Sequence, residues 1–230
     1  MSELFDRYSL QARMAPALLS LFPLFLLIAI SFPQLYTVVA GLFSLALACG
    51  ILTLAAHFAR SRGKALEKRL NERWGGRPTT LFLLNNNNEL DSQTYQRYVQ
   101  FFTSNIPGWS LGHDPVPSYE SAVRWLLERT RDTGRFNLVF NENISYGFRR
   151  NCLGMKPIGL IVAMVCSIVW VVEIYSLGPQ WSAVQPQQWA GLGFTVLLFT
   201  WWIIIVGESW VRESGDAYAK ALLGSIDTMV

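Results

Sequence analysis

Glu173 is the residue whose placement most asks for chemistry. It is the only Asp, Glu, Lys or Arg between residues 157 and 207. A carboxylate at the centre of a hydrocarbon layer costs about 2.5–3.5 kcal/mol on insertion scales, so such a residue is a functional candidate by default. Cys166, Val169 and Trp170 precede it by seven, four and three positions, which places all four on one helix face. Glu173, Trp170 and Cys166 are therefore the candidates for a pore lining, a proton site or a coupling position. Glu173 stands near the outer end of its apolar run, which supports a plainer reading as an interfacial acid that reaches back to water.

A second constellation is basic. Arg149, Arg150 and Lys156 stand where a polar segment turns apolar. With Arg131, Arg135 and the polar Asn141, Glu142, Asn143 and Tyr146 they make a candidate anion or nucleotide site. The alternative is contact with lipid phosphates beside a membrane helix. Gly75-Gly76-Arg77-Pro78-Thr79-Thr80 offers backbone N–H groups to an anion, without the spacing or the lysine of a phosphate-binding loop.

Catalytic patterns are not found. His57 and His113 are far apart, and Cys49, Cys152 and Cys166 show no CxxC spacing, so neither a metal centre nor a disulfide is expected. There is no GxSxG elbow and no carboxylate pair placed for acid–base work. Asp114 beside His113 reads as turn chemistry. The chain is read as non-enzymatic, without a cofactor.

The elements that carry these residues follow from charge. Charged residues make up 15% of the chain, against about 25% in an average soluble domain. Residues 14–58 hold no Asp, Glu, Lys or Arg, and residues 157–207 hold only Glu173. Each stretch accommodates two spans of about 20 residues. The expected fold is an all-α polytopic membrane protein with four transmembrane helices, near 14–32, 35–58, 158–177 and 189–207. A mostly helical cytoplasmic domain, 59–156, lies between helices two and three. Residues 1–13 form a short N-terminal segment, with Leu4, Phe5, Tyr8 and Leu10 as an apolar side, and 208–230 an amphipathic tail.

Within this plan Pro23 is expected to kink the first helix, and Phe32-Pro33-Gln34 to make a tight reversal. Gly41, Ser44 and Ala48 form a small-residue packing seam on the second helix. That helix is expected to continue into the cytoplasm until Gly75-Gly76 and Pro78 end it. Asn85 to Asn88 read as a polar linker. Asp91 or Ser92 then caps a helix to about Ser104 that buries Tyr95, Tyr98, Val99 and Phe102. Ser118 is expected to start the next, with Val123, Trp125, Leu126 and Leu127 on its apolar face. Residues 136–140 fit either a strand or a helical start, and Gly154 with Pro157 is expected to break the chain before the third membrane helix.

Residues 60–156 carry fifteen basic and nine acidic groups. The short loops between paired helices carry none, so the termini and the central domain are expected inside. Trp181 and Trp189 suit an outer aromatic belt and Trp210 an inner one.

Several motifs in residues 60–160 form a recurring set. They are Lys64 with its neighbours, Trp74-Gly75-Gly76 with Pro78-Thr79-Thr80, Ala122-Val123-Arg124-Trp125-Leu126, Glu142-Asn143 with Tyr146-Gly147-Phe148-Arg149-Arg150-Asn151, and Gly154 with Lys156-Pro157. This set resembles an uncharacterised family of bacterial four-helix inner-membrane proteins. The resemblance implies a bacterial inner membrane and carries over no residue role. In architecture alone the chain is also similar to transmembrane effectors of antiphage defence.

The expectation that follows is a membrane protein whose cytoplasmic domain senses a ligand or partner and alters the helix bundle, as a pore-forming or membrane-perturbing effector. The alternative is a scaffold that recruits a soluble partner through residues 59–156. Expected partners are the lipid bilayer, further copies of the chain, and a soluble cytoplasmic protein or small anionic ligand. Nucleic acid is not expected.

Overall fold

The computed structural model describes residues 7–33, 38–84, 90–176 and 184–229, with side chains throughout except at 38–40 and 42–48. Among these residues all regular structure is helical. A π-helical turn, Ser9–Met14, leads into α1 (Ala15–Ser31). There follow α2 (Val38–Trp74), α3 (Pro78–Leu84), α4 (Ser92–Asn105), α5 (Pro115–Arg129), α6 (Asn137–Ser176), α7 (Pro186–Ile204) and α8 (Glu208–Gly224), closed by a 3-10 turn, Ser225–Thr228. The stretch 136–140, open between strand and helix in the sequence, is the helical start of α6. The chain divides into two compact units: Met1–Leu66 with Gly147–Glu208, and Glu67–Tyr146 with Ser209–Val230.

The first unit is built for an apolar solvent. Ser9–Ser31 and Asn137–Ser176 are long and apolar enough to cross a membrane, and α7 with α8 makes a third if the pair is counted as one broken span. The unit points large apolar groups outward: Leu54 is 72% exposed, and Leu197 and Ile204 each 71%. Small and hydroxyl residues turn inward, among them Ala17, Ser20, Ala56, Ala163 and Thr195. A contiguous apolar exterior over small packed residues is the pattern of helices in lipid. The buried hydroxyls donate within their own helices, Ser20 Oγ to the Pro16 carbonyl at 2.8 Å and Thr195 Oγ1 to that of Gly191 at 2.7 Å.

One stripe of α6, at residues 147, 151 and 154, holds the tightest packing. A Cβ on Gly154 would stand 2.8 Å from the Gly63 backbone nitrogen and 3.0 Å from the Arg62 carbonyl carbon, so α2 and α6 cross backbone against backbone. A Cβ on Gly63 would collide with the Asn151 amide. A Cβ on Gly147 would meet Tyr8 Oη at 3.0 Å and Ala12 Cβ at 3.1 Å. Asn151, 1% exposed, joins the two contacts, because its Nδ2 donates to the Ala12 carbonyl at 2.6 Å. Pro16 has no N–H to offer that carbonyl four residues behind it. A side chain from another helix supplies the donor.

Gly154 and Pro157 therefore do not break the chain. Helix α6 runs through both as one element of 40 residues. The glycine is there for the close approach to Gly63. The proline is exposed, and membrane helices tolerate an interior proline where neighbours and local adjustment re-satisfy the backbone.

Farther along, α6 and α7 hold each other by a reciprocal device. A Cβ on Gly159 would lie 2.7 Å from Trp202 Cζ2, and one on Gly191 the same distance from Trp170 Cζ2. Glycine and tryptophan stand eleven positions apart on each helix, so each ring covers the partner's glycine. Both rings are fully buried. Phe22 of α1 packs on Phe194 of α7 with ring centroids 5.1 Å apart.

The second unit is built around a core of large aromatic and aliphatic side chains. Phe82 and Leu83 of α3, Tyr98, Phe101 and Phe102 of α4, Tyr119 and Leu126 of α5, and Leu222 and Leu223 of α8 form one buried cluster. Each large side chain contributes about 1.5–3 kcal/mol by leaving water. The tail is thus part of the core of this unit. Asp91 caps α4, accepting from the backbone N–H groups of Gln93 and Thr94 at 3.0 and 2.9 Å. Helix α5 starts at Pro115, not at the expected Ser118: Asp114 Oδ1 accepts from Val116 N at 3.1 Å, and proline suits the first helical position. Ser118 instead ties the preceding loop, donating to the Ser110 carbonyl at 3.0 Å.

The expected reversal at Phe32-Pro33-Gln34 ends outside the described residues. Leu4, Phe5, Trp181, the Asn85 to Asn88 linker and the side chains of Ser44 and Ala48 also lie outside them.

Two predictions follow. Gly154→Ala lowers stability in detergent by about 1–3 kcal/mol, the range for overpacking a tight contact. Gly193→Ala, where nothing among the described residues stands within 4 Å, leaves it unchanged or raises it by up to about 1 kcal/mol; thermal melts compare the two. The N–H groups of Thr94 and Gln93 hold the Asp91 carboxyl below its usual value. That stabilisation is complete above the unfolded carboxylate pKa and is lost as pH falls through the lowered folded one. Asp91→Asn, which caps without titrating, flattens this acid limb of the melting profile.

Candidate functional site

Glu173 lies on α6 near its end and is half-buried. The Ser31 hydroxyl, from the last residue of α1, donates to Glu173 Oε1 at 2.9 Å. The Ser176 hydroxyl donates to the Glu173 backbone carbonyl at 2.8 Å. The carboxylate thus pins the end of α1 to α6. Trp170 is spent on covering Gly191, and Cys166 is buried. The three residues read as a pore face share a helix side, and in this conformation that side is used for packing.

The basic residues divide between the units. Arg149, Arg150 and Lys156 belong to the first, Arg131 and Arg135 to the second. Lys156 Nζ donates to the Val206 carbonyl at 2.7 Å and to that of Ile203 at 3.4 Å. It caps the carbonyls at the end of α7, where a cation is favourable against the helix dipole. Arg150 is only 7% exposed. Arg149 is half-buried.

Gly75-Gly76 has no N–H groups left for an anion. Gly76 N donates to the Asn71 carbonyl at 2.9 Å and Gly75 N to that of Glu72 at 3.4 Å. With Gly75 at φ 79° these two bonds close α2 as a Schellman motif. The glycines are a helix stop, and their own N–H groups are spent on it.

In the second unit a groove of about 340 Å³ is lined by Phe101, Asn105, Trp125, Arg129, Arg135 and Phe136, with Met229 at its edge. Arg129, one helical turn after Trp125, lays its guanidinium over that ring at 3.9 Å. Arg135 Nη2 donates to the Thr228 carbonyl at 3.1 Å, and its guanidinium lies 5.3 Å from the Phe136 ring centre. A short turn sets Arg135 in place: Asp132 Oδ1 accepts from Gly134 N at 2.9 Å and from Arg135 N at 3.1 Å. Asn105 Nδ2 donates to the Phe101 carbonyl at 2.8 Å, which leaves its oxygen directed to other donors.

Of the expected anion set, only Arg135 lines this groove. Arg131 is exposed and paired with Glu128 at 2.7 Å. Asn141 Nδ2 donates to Asn137 Oδ1, and Tyr146 donates to Glu67 Oε1 at 3.1 Å. Arg129 was missed, although Trp125 four residues before it is the spacing for a ring–guanidinium stack. Asn151 was missed as well, because a buried amide is not distinguishable in sequence from a polar residue at a membrane edge.

The packing seam is only partly visible. A Cβ on Gly41 would have nothing within 4 Å among the described residues. Among those residues no three His, Cys, Asp or Glu are grouped to hold a metal ion. No protein-family model, curated protein or solved structure matches the chain.

The Ser31–Glu173 bond makes a directional prediction. Ser31→Ala and Glu173→Ala each lower stability by about 0.5–1.5 kcal/mol, and the double variant loses no more than the worse single one. Glu173→Gln keeps the acceptor and keeps the stability. Melts of the four variants in one detergent measure the cycle.

Proposed function

We propose that this chain is a receiver anchored in the membrane: its second unit takes up a signal, and the helices common to both units carry it into the apolar bundle. One observation carries the reading. The unit boundaries fall inside α2 and α6, yet both stay helical straight through them, at 66–67 and at 146–147. At 1.5 Å per residue, helices of 37 and 40 residues are about 55 and 60 Å long. A hydrocarbon layer is only about 30 Å thick. Such helices serve a span and a soluble unit without a hinge loop between them.

In the full reading the chain crosses a bacterial inner membrane four times. The uncharged start of α2 and α7 are the spans beyond α1 and α6, and both termini are cytoplasmic. The distribution of Lys and Arg supports this orientation. The output is a pore or a bilayer perturbation, formed on assembly of several copies. The single chain packs Trp170, Cys166 and Glu173 against its own helices, which supports an output that needs repacking or partners.

The test is dye release and single-channel conductance by the full chain in liposomes. The proposal expects both to rise above empty liposomes when the second unit is engaged. A protein that stays silent at every lipid composition and voltage contradicts it. A soluble partner captured by that silent protein would establish the scaffold instead.

A further inference from the structure

The groove of the second unit supports a specific ligand class, and the inference rests on the receiver reading above. Its lining carries two guanidinium groups and no carboxylate, so its formal charge is +2. The acids near in sequence have partners of their own: Glu128 pairs with Arg131, Asp227 with Arg97 at 2.8 Å, and Asp132 accepts from the backbone N–H groups of Gly134 and Arg135. The Arg129 guanidinium lies 3.9 Å from the Trp125 ring centre, a contact made through its face that leaves N–H edges for an acceptor. Arg135 spends one nitrogen on Thr228 and keeps the rest of its fork. Two such forks match the double charge and the several oxygens of a phosphate monoester.

The remaining walls are aromatic. Phe101 and Phe136, both largely buried, line the groove together with Met229, and Trp125 backs one arginine. The Asn105 amide oxygen supplies one acceptor for an N–H or O–H of the ligand body. A volume of about 340 Å³ lies at the small end of small-molecule sites. We infer that this groove binds a small phosphate monoester with a flat aromatic body, the phosphate on Arg129 and Arg135 and the ring along Phe101 and Phe136.

Isothermal titration on the full chain, in nanodiscs of a zwitterionic lipid, tests this with phenyl phosphate, inorganic phosphate and phenol. Phenyl phosphate is expected to bind at least about tenfold more tightly than either fragment, since charge and ring are both read. Arg129→Gln and Arg135→Gln each weaken it about ten- to a hundredfold. Arg131→Gln leaves it unchanged. Arg135→Lys keeps a donor for Thr228 but not the fork, so its weakening separates lost recognition from a loosened tail. Inorganic phosphate binding as tightly as phenyl phosphate overturns the inference, as does an equal loss in Arg131→Gln or no heat at millimolar ligand. Loss of phenyl phosphate binding in nanodiscs containing phosphatidic acid assigns the groove to a lipid headgroup and also overturns it. Binding without dye release would sink the receiver and spare the groove; release on another trigger, with no binding here, would do the reverse.

Discussion

Two backbones touch where α2 meets α6, and the first unit depends on that contact. Helices ordinarily pack 8–10 Å apart, with side chains between them. At Gly63 and Gly154 there is no room for a single methyl group. So close a crossing leaves no room for water between the backbones, and the polar groups buried there must be satisfied by the protein itself. Asn151 sits in the crossing for that reason. Its amide reaches the carbonyl that Pro16 cannot serve, so one side chain ties the N-terminal turn to the helix pair. Replacing it by an apolar residue would leave that carbonyl without its side-chain donor.

Around this point the remaining helices are added by the same kind of contact. The two tryptophan-over-glycine contacts hold α7 on α6, and Lys156 closes the end of α7. Phe22 then places α1 on α7, and Ser31 fixes the far end of α1 to Glu173. Shape does most of this, because apolar side chains gain little from leaving lipid for one another. The second unit works by the opposite rule. Its core is built from large aromatic and aliphatic side chains, and its helix ends are marked by Asp91, Asp114 and the Gly75-Gly76 stop.

Local signals were readable and distant partners were not. Asp91 as a cap and Gly75-Gly76 as a stop act within four or five residues, so the chain itself displays them. Gly154 and Pro157 look like breakers until Gly63, about ninety residues earlier in sequence, explains the glycine. Ser118 resembles a helix start because its better-placed competitor, Asp114, was assigned to a turn. Leu222, Leu223 and Ile226 look like one face of a free amphipathic tail, and they are buried in one cluster with residues more than eighty positions earlier, such as Phe82 and Phe102. At Glu173 periodicity put Cys166, Trp170 and Glu173 on one side, but only Gly191 and Ser31 reveal what that side meets within the single chain. The groove was half visible, through Arg135 and not Arg129.

The account stands or falls on α6 being one helix from the second unit into the first. Hydrogen exchange on the full chain in nanodiscs, resolved across residues 137–165, measures this directly. Slow exchange without interruption through Gly147 and up to Pro157, and again beyond it, is the predicted result. A fast-exchanging gap between 146 and 157 would mean that the two units are joined by a loose segment, and α6 could not carry a signal from one to the other.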